Sequence, residues 1–565
     1  MSKAHHQQLS TCDISPARWR LWLLALLLAS TLTSFVGTGR SLPLDAHEVF
    51  VARTAEEMHN RSEWLVPHFN DTPRLKKPPL GYWLVIGVNY ATGNDSVITE
   101  FEARFPSAIA GILMTLMAVR LGRELVSPEV GLIAGAMLAT CSGLISYSHS
   151  ARPEMVYAAW CLAGLLGLVA AEQHTLKMRK RDALLAAMGA WICFGMATMT
   201  KGPQLPLPML VGWLFGSWRA GTLKQTIRSL HMAIGIPLYL IVGFWWFWVV
   251  LMTVPDAGEI LKVETIDRIT SQTRTWLTLL EPYYLYRPLL MLAPWLFFVP
   301  LALLGPWLKT YRSRPGAMRL WWMILLVAII LSFSRGRRWY YMLPMLAPYT
   351  VLMASAAMQM GPLFWRERKT WIWAALFGIL VLGIGVFAAL AMNRHAAYLD
   401  EAPIWMFGTL SLACLVSLAL LAIPKLRHTL GFVGMTLQVA VIASISLSLV
   451  SLRSGYWRSN RFDERAFSLQ VAERVTAEDT IVGWIEPFDE QQYELHRPIP
   501  AYSDTAELAE TVYTHGPLYV LVDTSRETLV WPQGITAERL VTADYGDIED
   551  HFELWRAQAA SEAPE

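Results

Sequence analysis

The stretch from Leu44 to Trp83 concentrates side chains that could do chemistry. It directly follows the first long apolar segment, yet it holds acids, bases, histidines and aromatic residues close together. A connector that only joined two membrane helices would have no use for so many ionisable groups. Carboxylates and histidines can take or give a proton, and lysines and arginines can bind an anion. The stretch therefore predicts one wall of an active site beside a membrane.

Three further polar patches interrupt the apolar sequence, at residues 148–154, 201–203 and 334–341. Their ionisable or hydroxyl-bearing members include Arg152, Glu154, Lys201, Arg337, Arg338, Tyr340 and Tyr341. Guanidinium and ammonium groups at headgroup level, with tyrosine hydroxyls beside them, suit a lipid-linked phosphate or diphosphate. The alternative for any single base is that its side chain reaches the lipid headgroups. That alternative is weaker for the whole set.

Composition places these patches in a multi-pass membrane protein. The chain has 565 residues, of which 54% are hydrophobic and only 16% are charged, and its mean hydropathy is +0.35. Soluble proteins average about 25% charged residues. The net charge of +2 comes from scattered bases, so we expect membrane lipids as surroundings and no nucleic acid as a partner.

Apolar runs of spanning length predict about thirteen transmembrane helices. The first runs from Arg18 to about Gly37, and we interpret it as a retained helix, the alternative being a secretory signal. The run Leu80–Ala91 is too short to cross and is expected to lie in the interface. The remaining runs centre near residues 112, 138, 162, 191, 211, 241, 297, 326, 349, 381, 413 and 441.

The basic residues predict the orientation. With a cytoplasmic arm at 1–17, the basic loops alternate so that all of them fall on the inner side, as the positive-inside rule requires. The transmembrane part is then 18–453, and its first external loop is 39–102. An odd number of spans places the C-terminus outside as well. We expect the inner membrane of a bacterium, with a periplasmic C-terminal segment.

The segment 454–565 is charged and predicts a small extracytoplasmic α/β domain. Glu464–Val475 and Thr505–Thr514 have helical patterns, whereas Thr480–Trp484 and Leu518–Val522 are β-branched apolar runs bounded by turn residues. The segment holds no glycine-rich phosphate loop and no metal-ligand spacing. We therefore interpret it as a cap or recognition domain.

The polar patches carry a resemblance to a known family. WLVPHFN at Trp64–Asn70 is followed by KPPLGYW at Lys77–Trp83, and ARPE, TKGP, PW and YYMLPMLAP follow at 151–154, 200–203, 294–295 and 340–348. In this order the motifs resemble those of the C-type, polyprenyl-phosphate-dependent glycosyltransferases. The nearest branches are the lipid A aminoarabinose transferases and the protein O-mannosyltransferase superfamily. The resemblance covers about residues 20 to 450.

The resemblance implies the C-type glycosyltransferase fold and a reaction. One sugar would move from a polyprenyl-phosphate carrier to a lipid (lipid A-like) or protein acceptor at the outer membrane face. The negative charge that builds on the departing phosphate suits preorganised donors in a poorly hydrated site. The residues expected there are Lys77, Lys76, Arg337, Arg338, Tyr340, Tyr341 and Lys201, with Arg152, Glu154 and His68 as supporting residues.

The first loop departs from the family pattern where the catalytic carboxylate should stand. Relatives have Asp-Glu-x-Arg-Tyr, and the register counted back from Met58 places His47 at the Asp, Glu48 at the Glu and Phe50 at the Arg. Asp45 lies two residues earlier. The group that orients the acceptor or takes its proton is therefore open among Asp45, His47 and Glu48.

A second departure concerns a metal. In some relatives an acid before the KPPL lysine and a histidine in a later external loop form a metal pair. Here Lys76 replaces the acid, and Thr265 replaces the histidine between Glu264 and Arg268, which we retain as supporting residues. A single carboxylate makes a poor substitute for a closed ligand set. We predict no metal ligands and no cofactor, a divalent metal being the alternative.

Other function classes are also compatible with part of the sequence. An oligosaccharide ligase acting on diphosphate carriers is the nearest rival among enzymes. A transporter of lipid-linked sugars would show interrupted helices in paired halves, and we find no such symmetry. A sensor would need a cytoplasmic output domain, which neither the short arm nor the inner loops supply.

The missing acid and histidine lead to a prediction about metal dependence. Treatment of the purified protein with EDTA should leave its sugar-transfer rate unchanged, because Lys76 supplies positive charge where relatives place a metal ligand. Activity that vanished with EDTA and returned with a divalent ion would refute this.

Overall fold

The computed structural model describes residues 15–365 and 460–560, apart from 40–42, 95–96, 263–282, 294, 306–314, 334–336, 477, 487, 527 and 545–550. Within these residues the protein is mainly helical. The predicted spans near 381, 413 and 441 lie outside the described residues, as do Glu264, Arg268 and the boundary at 453–454. The total of thirteen spans therefore stays a prediction.

The helices α1–α12 precede residue 263, and the helices α13–α16 lie between residues 283 and 365. Their bounds are Pro16–Phe35, Ala46–Asn60, Leu80–Thr92, Glu100–Leu125, Pro128–Ala139, Ser142–Ser148, Glu154–Leu176, Lys180–Lys201, Pro206–Arg219, Leu223–Ser229, Met232–Thr253 and Ala257–Lys262, then Tyr283–Tyr286, Val299–Leu303, Pro315–Ser332 and Leu346–Trp365. A two-residue hairpin, β1 (His68–Phe69) and β2 (Thr72–Pro73), joins α2 to α3.

Among the described residues, six segments are long and apolar enough to cross a membrane: Glu100–Leu125, Glu154–Leu176, Lys180–Lys201, Met232–Thr253, Pro315–Ser332 and Trp339–Met358. The pair α5 and α6, bent by 57°, makes a seventh if it counts as one broken span. These segments coincide with seven of the predicted centres. The run Leu80–Ala91 is the helix α3, as expected.

The apolar run near 297 forms short turns rather than one helix in the described residues. The pieces are Arg287–Leu292, Trp295–Phe298 and Val299–Leu303, of which the first two are 3-10 helices. Pro288 and Pro300 lack the N–H that a continuous helix would need at these positions. Hydropathy alone therefore overstated the regularity of this run.

Close helix contacts in the apolar part depend on small residues. At Gly131 a Cβ atom would lie 2.4 Å from the backbone oxygen of Val119, so only glycine lets α5 approach α4 here. Such contacts matter in lipid, where helix association relies on close packing rather than on exclusion of water. A buried ion pair adds to them, since Arg319 Nη1 donates to Glu172 Oε2 at 2.6 Å.

The C-terminal part contains a five-stranded sheet in the order β4-β3-β5-β7-β6. The strands are Thr480–Trp484, Ala501–Tyr502, Leu518–Asp523, Ile535–Asp544 and His551–Ala559 for β3 to β7, and the helices are α17 (Asn460–Ala472), α18 (Asp489–Glu494) and α19 (Thr505–His515). The strands β3 and β4, and β3 and β5, pair in parallel, whereas β7 pairs antiparallel with both β5 and β6. The two predicted strands and the helix between them are confirmed.

The C-terminal sheet region packs against the predicted first loop, residues 39–102. The Tyr493 hydroxyl donates to the backbone oxygen of Ile98 at 2.8 Å, and Arg465 pairs with both Glu100 and Glu494. His496 lies 3.6 Å from Glu56 of α2, and this carboxylate raises the pKa of the imidazole. The contacts hold α18 against the helix that carries the candidate catalytic residues.

Candidate active site

A buried ion pair between Glu48 and Arg104 positions the first turn of α2. The Arg104 Nε and Nη2 atoms donate to the two carboxylate oxygens at 3.0 Å each. The backbone N–H groups of Ala151 and Asp45 donate to the same carboxylate at 2.8 and 3.2 Å. Glu48 is only 2% exposed. Four donors and this burial suit a structural role, which distinguishes Glu48 from the other two candidates for the base.

Asp45 caps α2 and holds Arg152. Its Oδ1 accepts from the backbone N–H of Glu48 at 2.8 Å, the usual role of an N-cap residue. Its Oδ2 accepts from Arg152 Nη2 at 2.7 Å, and this carboxylate raises the pKa of the guanidinium against the opposing effect of burial. Arg152 thus pairs with Asp45.

His47 lies exposed on the first turn of α2, between these groups. Its electrostatic neighbours are Arg152, Asp45, Lys77 and Glu154. Burial, followed by the positive charge of Arg152, lowers the pKa of the imidazole below its usual value. The ring is therefore mainly neutral at pH 7, which is the form that can accept a proton.

Glu154 and Lys201 form the inner part of the site. Lys201 Nζ donates to Glu154 Oε1 at 2.8 Å, and Glu154 is 5% exposed. The same ammonium lies 4.8 Å from the ring centroids of both Tyr340 and Tyr341, as in a cation–π contact. The other oxygen of the carboxylate, Glu154 Oε2, is buried and accepts no hydrogen bond from the residues that the structure describes. The four predicted residues are thus brought together.

Lys77 lies beside this cluster, at the end of the loop that precedes α3. Burial lowers the pKa of its ammonium to about 8; Glu154 opposes the shift, and Lys201 and Arg74 add to it. Among the residues that the structure describes, no carboxylate lies at ion-pair distance from Lys77. A desolvated ammonium without a close counter-ion is a ready anion site.

The other predicted phosphate residues are less tightly grouped. Lys76 is exposed and its electrostatic neighbour is Asp489 of α18, so it faces the C-terminal sheet region rather than Glu154. Arg337 is buried and donates to the backbone oxygen of Ser332 at 2.9 Å. Arg338 is exposed and within electrostatic range of Tyr340. Arg338 is thereby linked electrostatically to the cluster around Lys201.

The two histidines of the motifs bond to backbone. His68 Nδ1 lies 3.0 Å from the oxygen of Val66, and His68 is 8% exposed. His149 contacts the backbone oxygens of Ile145 and Val36 with its two ring nitrogens, at 2.9 Å each. These contacts agree with the more common role of such loop histidines, which is to fix backbone. Within the described ranges no group of three or more potential metal ligands is found.

Sequence reasoning missed Arg74 and Asp489. The Arg74 guanidinium carbon lies 4.1 Å from the Phe50 ring centroid, and in the part of the chain that the structure describes its buried Nε has no hydrogen-bond partner. Burial raises the pKa of Asp489 to about 6, Glu490 adds to this, and Arg74 and Lys76 oppose it. In the sequence Arg74 is one base among several, and Asp489 lies more than 400 residues away from it. No local signal pointed to either.

Comparison with known proteins gives a consistent family. Residues 76–246 match the family model described as dolichyl-phosphate-mannose-protein mannosyltransferase. A Pseudomonas fluorescens protein named undecaprenyl phosphate-alpha-4-amino-4-deoxy-L-arabinose arabinosyl transferase 2 is 30% identical over 59% of this chain and 56% of its own length. A Pseudomonas savastanoi relative of the corresponding name is 28% identical over 59% of this chain and 61% of its own. The chain thus spans less than two thirds of these two relatives.

A solved structure shows the same fold. The crystal structure of ArnT from Cupriavidus metallidurans bound to undecaprenyl phosphate has a TM-score of 0.72 to this chain, at 16% identity. The match covers 98% of this chain and 100% of that one. At 16% sequence identity, this similarity is evidence for a shared fold alone.

The Glu48 contacts lead to a stability prediction. Glu48→Gln should lower the free energy of unfolding by about 3–5 kcal/mol, because it leaves the buried guanidinium of Arg104 without its counter-ion. Thermal unfolding in detergent measures the effect. The matched control is Glu124→Gln, whose partner Arg120 has a side chain that is 59% exposed, so about 1 kcal/mol or less is expected. Unchanged stability with lost turnover would instead assign Glu48 to the chemistry.

Proposed function

We propose that this chain belongs to the superfamily of the lipid A aminoarabinose transferases and protein O-mannosyltransferases and that it is a glycosyltransferase. It transfers a sugar from a polyprenyl-phosphate carrier to an acceptor. The observation that carries this proposal is the desolvated ammonium of Lys77, which lies beside the Glu154–Lys201 pair without a carboxylate of its own in the described part of the chain.

The donor phosphate binds at Lys77. A phosphate oxygen satisfies the ammonium through a charge-assisted hydrogen bond, and burial strengthens that attraction. Lys201 is already neutralised by Glu154, so it contributes less net charge than Lys77. The Tyr340 and Tyr341 rings fix Lys201 from one side. The phosphate leaves with the electron pair of the broken sugar–oxygen bond, and Lys77 stabilises this charge as it forms.

The acceptor proton goes to the group on the first turn of α2. Glu48 is occupied by four donors, which leaves Asp45 and His47. Both oxygens of Asp45 also accept hydrogen bonds, one of them from Arg152, and these bonds weaken it as a base. We favour His47 as the base, with Asp45 orienting the acceptor, because the imidazole is exposed and mainly neutral.

The finer assignment follows the relatives. The donor is an undecaprenyl-phosphate sugar, and the acceptor is a lipid of the lipid A type or a protein. The site lies on the outer face of a bacterial inner membrane, the N-terminus is cytoplasmic, and residues 454–565 form a separate extracytoplasmic domain. The contacts of α17 and α18 with the first loop support a capping role for that domain.

A transfer assay tests this function. Purified protein in lipid nanodiscs, given radiolabelled undecaprenyl-phosphate sugar and lipid A or membrane protein, should move label to an acceptor. Lys77→Gln should reduce kcat/KM by about 10- to 100-fold, because a hydrogen bond to a charged group contributes about 1.5–3 kcal/mol. Arg61→Gln, which removes an outer pair with Asp71, is the control. Label that moves only from a diphosphate-linked glycan would point to the ligase instead.

The lowered pKa of Lys77 predicts that the pH profile of kcat/KM falls on its alkaline side. Below pH 8 the ammonium is charged and binds phosphate; as pH rises through about 8 it loses its proton, so kcat/KM should fall. In Lys77→Arg this alkaline fall should disappear, since a guanidinium keeps its charge over this range. A fall that stayed near pH 8 in that variant would contradict the assignment.

A further inference from the structure

Arg74 is held rigidly beside the proposed phosphate site. It follows the β1–β2 hairpin directly, and its backbone N–H donates to the oxygen of Pro67 at 2.7 Å. The hairpin itself is tied to α2, since the backbone N–H of Asn70 donates to a Glu57 carboxylate oxygen at 2.9 Å. Arg74 is three residues from Lys77. Its position is therefore fixed relative to both α2 and Lys77.

The side chain of Arg74 stacks on two aromatic rings. Its guanidinium carbon lies 4.1 Å from the Phe50 ring centroid and 5.5 Å from that of Phe69, and the two rings meet edge to face at 5.0 Å. Cation–π contacts of this kind stabilise the position of the guanidinium. They do not by themselves satisfy its N–H donors, which can still bond to another partner.

Those donors are incompletely used. Arg74 Nε is buried and has no hydrogen-bond partner among the described residues, and the guanidinium interacts with the hydroxyl of Tyr82. Among the described residues no carboxylate lies at ion-pair distance from it. A buried donor left unsatisfied is energetically unfavourable. An aromatic platform that presents such a donor is suited to an anionic ligand.

The charged groups around Arg74 are Lys77 and Asp489. Arg74 is close enough to lower the pKa of the Lys77 ammonium and to oppose the raised pKa of Asp489. Lys77 carries no close counter-ion in the described residues either, so two cations without a close carboxylate lie within electrostatic range of each other. The donor diester has one negative charge, whereas the departing phosphate monoester has about 1.5 to 2 near pH 7. A second cation matches the charge that appears during the reaction.

We propose that Arg74, stacked on Phe50, binds the departing polyprenyl phosphate together with Lys77. The proposal rests on the glycosyltransferase function. In the step concerned, the bond between the anomeric carbon and the phosphate oxygen breaks and the electron pair stays on that oxygen. The acceptor oxygen bonds to the anomeric carbon and its proton passes to the base on α2. Arg74 donates to the phosphate as its second charge forms.

Inhibition by the product measures this role. In Arg74→Gln the inhibition constant for undecaprenyl phosphate should rise about 10- to 100-fold and kcat should fall, because the product and the transition state carry the extra charge. KM for the donor should change less. The unfolding temperature should stay near that of the unmodified protein. Arg61→Gln, the exposed control, should behave like the unmodified protein in all four measurements.

A second variant moves the positive charge from position 74 to position 50. In the double variant Phe50→Arg, Arg74→Gln the new guanidinium replaces the Phe50 ring, whose centroid lies 4.1 Å from the Arg74 guanidinium carbon. The inhibition constant for undecaprenyl phosphate should therefore return part of the way to that of the unmodified protein. Arg74→Lys, which keeps a charge and loses the stacked fork, should give an intermediate constant.

The possible outcomes distinguish a failure of the proposed function from a failure of the role proposed for Arg74. If the unmodified protein transfers no sugar, the proposed function fails. If it transfers sugar and Arg74→Gln keeps the original inhibition constant, only the role of Arg74 is overturned. A rise in that constant which tracks a fall in unfolding temperature, without recovery in the double variant, assigns Arg74 to structure and also overturns the proposal.

Discussion

The buried pair of Glu48 and Arg104 is the interaction on which the site depends. Arg104 lies in α4, and its Nη1 and Nη2 atoms also donate to the backbone oxygens of Thr38 and Pro43. Through Glu48 it is joined to α2 and to the loop at Ala151. Two charges buried together need many hydrogen bonds, and here those bonds join three separate segments. The pair thereby sets the positions of Asp45, His47 and Arg152.

The remaining charges divide into paired and unpaired groups. Asp45 with Arg152 and Glu154 with Lys201 are close ion pairs that position their members without adding net charge. Lys77 and Arg74 have no carboxylate at such distance among the described residues, and each is partly buried. An anion is attracted most strongly near Lys77 and Arg74, because these two desolvated cations lie beside ion pairs that carry no net charge. The arrangement fits a phosphate that becomes more negative as its sugar leaves.

Sequence patterns predicted the features that depend on local composition. Apolar runs indicated the helices, and the KPPL motif indicated Lys77. The pairing of Glu48 with Arg104 could not be predicted, because the partners are 56 positions apart and each looked like another loop or helix-end charge. Arg74 was missed for a similar reason, since only the fold brings Phe50 beneath it. The strands β6 and β7 were missed because polar residues interrupt their apolar alternation, as in the sequence HFELWRAQA of β7.

The most direct test is a structure of this protein with undecaprenyl phosphate, determined by electron microscopy in nanodiscs. We expect the phosphate to lie within hydrogen-bond distance of Lys77 Nζ, on the side of Lys77 that faces Glu154 and Lys201. A phosphate bound away from Lys77, with Lys77 directed into solvent or lipid, would contradict it.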